Sequence, residues 1–138
     1  MAKNKFLRVL SFFIFPACVF LFSEFLGIVF NAFNVYVWLD IPMHFLGGLA
    51  IAYTTFLFLR FFKEEKMIEI KSMFVLILII VSLVVFVAVL WEFYEFLLKY
   101  FFDINTQPSL EDTLTDLFMG FLGGFFGAIV FRELISNN

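Results

Sequence analysis

Four long apolar segments decide what this chain can fold into. They lie at about residues 6–30, 41–62, 72–101 and 109–134. Each reaches the roughly 20 residues that a helix needs to cross a hydrocarbon core about 30 Å thick. The 25 phenylalanines fall largely within these runs, without the polar alternation of a soluble element. Apolar residues make up 64% of the chain and charged ones 15%, so lipid is a better solvent for it than water. The expectation is an all-α, polytopic membrane protein, with residues 1–138 forming a single four-helix transmembrane domain. No stretch is polar and turn-rich enough for a second domain outside the membrane.

Pro16 is expected to kink the first helix near its middle, whereas Pro42 falls in the opening turn of the second, where a missing N–H costs little. The lone cysteine, Cys18, has no partner for an internal disulfide and reads as a packing residue. The N-terminal Met-Ala-Lys-Asn-Lys resembles a signal-peptide start. The apolar run behind it is about 25 residues long and lacks a small-residue cleavage site, so a retained helix is expected.

The charges set an orientation. Lys3, Lys5 and Arg8 precede the first span, Arg60, Lys63, Lys66 and Lys71 lie between the second and third, and Arg132 ends the fourth. Eight of nine basic residues thus share one side, leaving Lys99 alone on the other. The positive-inside rule then places both termini in the cytoplasm of a prokaryotic plasma membrane. Glu64, Glu65, Glu69 and Glu133 accompany these bases. The other eight acids, Glu24, Asp40, Glu92, Glu95, Asp103, Glu111, Asp112 and Asp116, belong to the outer half.

Helical spacing gives the outer acids a direction. Asp40 and His44 are i,i+4, Glu92 and Glu95 are i,i+3, and Asp112 and Asp116 are i,i+4, so each pair projects from one side of its helix. In the fourth span Asp112, Asp116, Gly120, Gly123, Gly124 and Gly127 form one small or acidic stripe. Its overlapping G-x-x-x-G patterns predict burial against a neighbouring backbone. Gly47 and Gly48 suggest the same for the second span.

A carboxylate in hydrocarbon costs roughly 2.5 to 3.5 kcal/mol even on permissive scales, and several together repel one another. Protonation, pairing with Lys99, or a bound cation would compensate. A divalent ion suits several carboxylates and one imidazole. The expected ligands are Asp40, His44, Glu92, Glu95, Asp112 and Asp116, with Glu92, Glu95 and Asp116 as candidates for a catalytic part. Zn, Mn, Fe, Mg and Ca all remain open as the ion.

Plainer roles compete for several of these residues. Asp40 and the Ser109-Leu110-Glu111-Asp112 run fit helix N-caps. His44 fits a hydrogen-bonded packing residue, Glu24 either a member of the same cavity or an acid that snorkels to the interface, and Asp103 and Glu111 solvated positions. Tyr36, Trp38, Trp91, Tyr94 and Tyr100 fit an aromatic belt, and Trp91 with Tyr94 also fits the wall of a pocket. No serine triad, glycine-rich phosphate loop or Cys/His zinc motif is present, so soluble-enzyme templates do not apply.

The runs Leu39-Asp40-Ile41-Pro42-Met43-His44-Phe45 and Trp91-Glu92-Phe93-Tyr94-Glu95, with Asn105-Thr106-Gln107 and then Asp112-Thr113 and Asp116, resemble the YjdF-type family of small bacterial inner-membrane proteins. More remotely they are similar to the VanZ-like family. The likeness covers about residues 40–127. The VanZ-like pattern has a Gln soon after its glutamate and a Pro-x-Arg before its aspartate, whereas here Gln107-Pro108 comes later and no Arg follows. The resemblance implies a cell-envelope protein and no particular reaction; VanZ-like proteins are associated with glycopeptide-antibiotic resistance.

Three functions follow as expectations: a metal-dependent membrane hydrolase acting on a lipid or lipid-phosphate substrate, a cation or proton transporter, and a non-catalytic envelope protein with a structural ion. The lipid bilayer is the expected partner, nucleic acid is not, and the glycine-rich fourth helix would permit homo-oligomers.

Overall fold

The computed structural model of the chain describes residues 2–104 and 106–136. Asn105, part of the motif behind the family resemblance, lies outside the described residues, as do the side chains of Lys3 and Glu133. The described residues are helical with no strand: α1 (Ala2–Ser11), α2 (Ile14–Phe30), α3 (Ala32–Val35), a 3-10 turn at Val37–Leu39, α4 (Asp40–Glu64), α5 (Met73–Phe102) and α6 (Leu110–Ser136). Val37–Glu64, Met73–Phe102 and Leu110–Arg132 are each long and apolar enough to cross a membrane. Asn4–Ser11 and Ile14–Phe30 qualify together as a fourth span, bent by 40°.

The bend corrects the expectation of a kink in mid-helix. A proline removes the N–H that would bond the carbonyl four residues back, and its ring crowds that carbonyl. For Pro16 the carbonyl is that of Phe12, and the helix breaks there. The N–H groups of Phe12 and Phe13 fall back to Val9 and Leu10, at 3.1 and 3.2 Å. A freed carbonyl at membrane depth needs a donor. The buried Thr54 hydroxyl of α4 supplies one, donating to the Phe12 carbonyl at 3.0 Å. Pro42 sits third in α4, among the N–H positions that have no intrahelical acceptor, and α4 continues through it.

At the end of the bundle opposite the α4–α5 connection, α2 and α5 each have a local stop. Asn31 after α2 and Asp103 after α5 adopt left-handed backbone, φ 50° and 55°, which these side chains tolerate better than most. The Asp103 N–H then reaches back to the Lys99 carbonyl at 3.1 Å, the single 5→1 bond of a left-handed cap. Ser72 caps the start of α5 and Ser109 that of α6, accepting from Val75 and Asp112 N–H at 3.4 and 3.1 Å.

Helix α4 packs most extensively on α6; α5 covers both, and α2 leans on α4 without burying a residue of its own. Glycine sets the α4–α6 distance. A Cβ on Gly48 would run into the Gly120 carbonyl, and one on Gly123 into the Phe45 carbonyl. Gly124 faces Val84 and Gly127 faces Ala52. The predicted stripe is therefore engaged within the chain, and association between copies through α6 has to use another face. Gly47, expected to pack like Gly48, faces open space.

Beyond the glycines, Ala52, Leu76, Ile80, Val84 and Ala128 form a buried apolar cluster. Outside it the surface is apolar too: only 17% of the most apolar window of α5 is buried, and Phe74, Phe86 and Phe93 point outward. Such a surface is satisfied by lipid. At the end of the bundle carrying the α4–α5 connection, Arg8 and Arg60 pair with Glu64 at 2.6 and 3.0 Å, and Lys5 with Glu65.

Gly48→Ala should lower the thermal midpoint of the detergent-solubilised protein, by the equivalent of about 1–3 kcal/mol of overpacking. Gly47→Ala, one residue away in open space, should leave it unchanged. Equal midpoints for the two variants would show that α4 and α6 do not touch at Gly48.

Candidate metal centre

Both acids of α5 are among its buried residues, and most of the aromatics beside them face outward. Leu76, Ile80, Val84, Glu92 and Glu95 are the buried positions, so both glutamates continue an apolar stripe, while Phe93, Tyr94 and Phe96 lie exposed between and beside them. On α6, Asp116 continues the stripe of Gly120, Gly124 and Ala128. On α4, Asp40 and His44 occupy the first two turns. Because α4 and α6 touch at Gly48 and Gly120, the turns just above that contact are held together. His44 Nε2 lies 3.4 Å from Asp40 Oδ1 and 3.8 Å from Asp116 Oδ1.

Two ligand sets result. Asp40, His44 and Asp116 each offer one donor atom within 4.8 Å of the others, and so do His44, Glu92 and Glu95. His44 belongs to both. Glu92, Glu95 and Asp116 are 7%, 7% and 2% exposed, which removes water as their main partner.

Their hydrogen bonding is incomplete. Gln107 Nε2 donates to Glu92 Oε2 at 2.9 Å, and Thr106 Oγ1 donates to the Glu95 backbone carbonyl at 3.3 Å. Glu92 Oε1, Glu95 Oε2, Asp112 Oδ2 and Asp116 Oδ2 are buried with no hydrogen-bond partner. Lys99, one expected source of compensation, donates instead to the Gln107 backbone carbonyl at 2.6 Å. Orphaned carboxylate oxygens beside an imidazole, with no ammonium or guanidinium turned toward them among the described residues, match the donor set of a divalent cation.

Not every expected residue enters the sets. Asp112 is half-buried one turn nearer the start of α6, and its backbone N–H takes the Ser109 cap, so it lies at the rim. Glu24 on α2 is half-buried and belongs to neither set. Asp40 is the first residue of α4, after Leu39 at the N-cap position, and no side-chain cap bond forms there. The capping role is therefore taken up at Ser109 and not at Asp40. Asp103 and Glu111 are exposed. Trp91 packs its ring near Phe20 and Tyr94, at 5.8 and 5.4 Å, while Tyr36, Trp38 and Tyr100 are exposed. Cys18, expected to pack, is exposed as well.

Gln107 is the site residue that helix periodicity does not find. It lies in the α5–α6 connection, where no repeat gives a side chain a direction. Beyond its place in the Asn105-Thr106-Gln107 run behind the family resemblance, its sequence signal is to be an amide in the short segment joining two helices that carry acids.

A family model described as "Predicted membrane protein (DUF2238)" matches residues 1–137. The chain belongs to that family. It is an integral membrane protein with several spans, in agreement with the helices above. Comparison with curated proteins and with solved structures gives no match.

In protein of this DUF2238 member stripped of divalent ions, Asp116→Asn should raise the thermal midpoint, because removing a buried carboxylate whose Oδ2 has no hydrogen-bond partner relieves about 1–3 kcal/mol. A midpoint that falls instead would mean that Asp116 already has its compensation inside the protein.

Proposed function

We propose that this DUF2238 protein is a membrane-embedded metalloprotein. Asp40, His44, Glu92 and Asp116 hold a divalent ion, Glu95 stands beside it as proton acceptor, Asp112 stands at the rim, and the ion serves hydrolysis of a lipid-phosphate type of substrate. The observation that carries the proposal is the set of partnerless buried carboxylate oxygens around one imidazole. Zn, Mn and Fe suit mixed imidazole and carboxylate donors, and Mg or Ca would draw on more of the oxygens.

A bound divalent ion supplies Lewis-acid polarisation of a phosphoryl oxygen and makes water more acidic. The chain's own residues do the rest. His44 joins the two sets, so with Asp40, Asp116 and Glu92 as the other ligands Glu95 of α5 is left near the reacting centre. Glu95 accepts a proton as general base, a role supported by its one free buried oxygen. Gln107 fixes the Glu92 carboxylate by taking its other oxygen. The apolar body of the bundle excludes water from beneath, and its lipid-facing surface admits an amphipathic substrate from the side.

The concentration of basic residues at the opposite end supports an orientation with both termini in the cytoplasm and the acidic end outward. The likeness to the YjdF-type and VanZ-like families supports a place in the bacterial envelope. A transport role is less well supported. On the other side of the cluster Val84, Ile80, Leu76, Ala52 and Ala128 fill the bundle, each at most 5% exposed, where an ion path would need polar groups.

Elemental analysis of protein purified without chelator tests the metal. Stoichiometric divalent metal is expected in the native chain and none in the Glu92→Ala/Asp116→Ala variant; a metal-free native preparation overturns the proposal. Gln107→Ala should weaken ion binding by about 10- to 100-fold, as loss of a residue that orients a ligand does elsewhere. For the reaction, purified protein is offered a panel of envelope lipid phosphates with Mg, Mn, Zn or Ca. Product release that vanishes in Glu95→Gln is expected, and retained metal without any product would leave a structural ion.

A further inference from the structure

A second polar feature lies at the opposite end of the bundle from the acids. Between the α1–α2 break and α4 lies a cleft of about 580 Å³, inside the range of about 300–1,000 Å³ usual for small-molecule sites. Arg8 and Arg60 stand at one part of its lining, and Phe12, Phe15, Tyr53 and Cys18 line the rest. The break that opens it is the one Pro16 imposes.

The charges at the Arg8–Arg60 end do not balance. Glu64 bridges both guanidiniums, with Arg8 Nη1 at 2.6 Å and Arg60 Nε at 3.0 Å. Glu65 is taken by Lys5. Among the described residues one carboxylate therefore serves two guanidiniums, which stay 43% and 41% exposed and keep N–H groups without a partner there. Arg8 is further fixed with its Cζ 5.5 Å from the centre of the Phe61 ring. Fixed, incompletely neutralised guanidiniums match phosphate oxygens in geometry and charge.

The apolar part of the lining decides between a free anion and a lipid. Cys18 follows Arg8 by ten residues, roughly 15 Å along the helix path, which is half of a hydrocarbon core about 30 Å thick. The lining thus runs from headgroup level to the depth of acyl-chain ends, past Phe12 and Phe15. A small anion would leave that wall uncovered.

We propose that the cleft between the α1–α2 break and α4 binds one anionic phospholipid, its phosphate on Arg8 and Arg60 and an acyl chain along Phe12 and Phe15 toward Cys18. The site is separate from the acidic cluster and does not depend on the ion. Bound there, the lipid fastens the loosely packed first span to α4.

The test uses the full chain in detergent with equal amounts of phosphatidylglycerol and phosphatidylcholine, read by native mass spectrometry. Preferential retention of one phosphatidylglycerol is expected, and Arg8→Gln/Arg60→Gln should abolish the preference. A second readout uses the unaltered chain: alkylation of Cys18, its single thiol, should slow several-fold in phosphatidylglycerol relative to phosphatidylcholine. Equal retention of both lipids, a preference that survives in the double variant, or equal alkylation rates would each overturn the proposal.

Discussion

The contact between α4 and α6 at Gly48, Gly120 and Gly123 is the constraint on which the rest of the bundle depends. In a membrane no hydrophobic force separates helix from lipid, so association relies on close packing and on hydrogen bonds between helices. Two backbones that meet where no Cβ intervenes gain that packing along several turns. The same contact sets the register of the two helices. With Gly48 seated on Gly120, the turn above it brings His44 opposite Asp116. A larger residue at Gly48 or Gly123 would push the helices apart next to the His44–Asp116 pair.

The bundle is polarised along its axis by two unlike solutions to the problem of charge in lipid. At one end, arginine and lysine pair with Glu64 and Glu65 close to the surface, where water and headgroups share the work. At the other, carboxylates are buried with part of their hydrogen-bonding capacity unused. An apolar layer of Val84, Ile80 and Leu76 lies between. The energetic tension is therefore local to the acidic end, and a cation answers it with the least rearrangement, because the donors already stand within reach of one another.

The first span follows a different logic from the other three. It buries little, carries a break, and is tied to α4 by a hydroxyl given to an orphaned carbonyl. Pro16 and Thr54 are remote in sequence but answer each other chemically. The proline frees a carbonyl that hydrocarbon cannot solvate, and the threonine supplies the missing donor. The resulting tilt leaves open a space that a straight helix would have closed.

Much of this was determined by the sequence alone. The apolar runs fixed the helices, since only a helix satisfies its own backbone over such a length of lipid. The 3.6-residue period fixed the inward direction of Asp40 with His44, of Glu92 with Glu95, and of Asp116 with the glycines. Periodicity stops at the single helix, however, because it carries no information on the rotation and offset of one helix against the next. Tertiary packing decided that His44 lies between two carboxylate groups, that Asp112 and Glu24 stay outside them, and that Gly47 packs on nothing while Gly48 meets a backbone. It also decided the contact of Gln107 with Glu92, because a connecting segment has no repeat from which a direction can be read. The break at Phe12 was encoded by Pro16, but its position one turn earlier and its donor in α4 emerge only when both helices are in place.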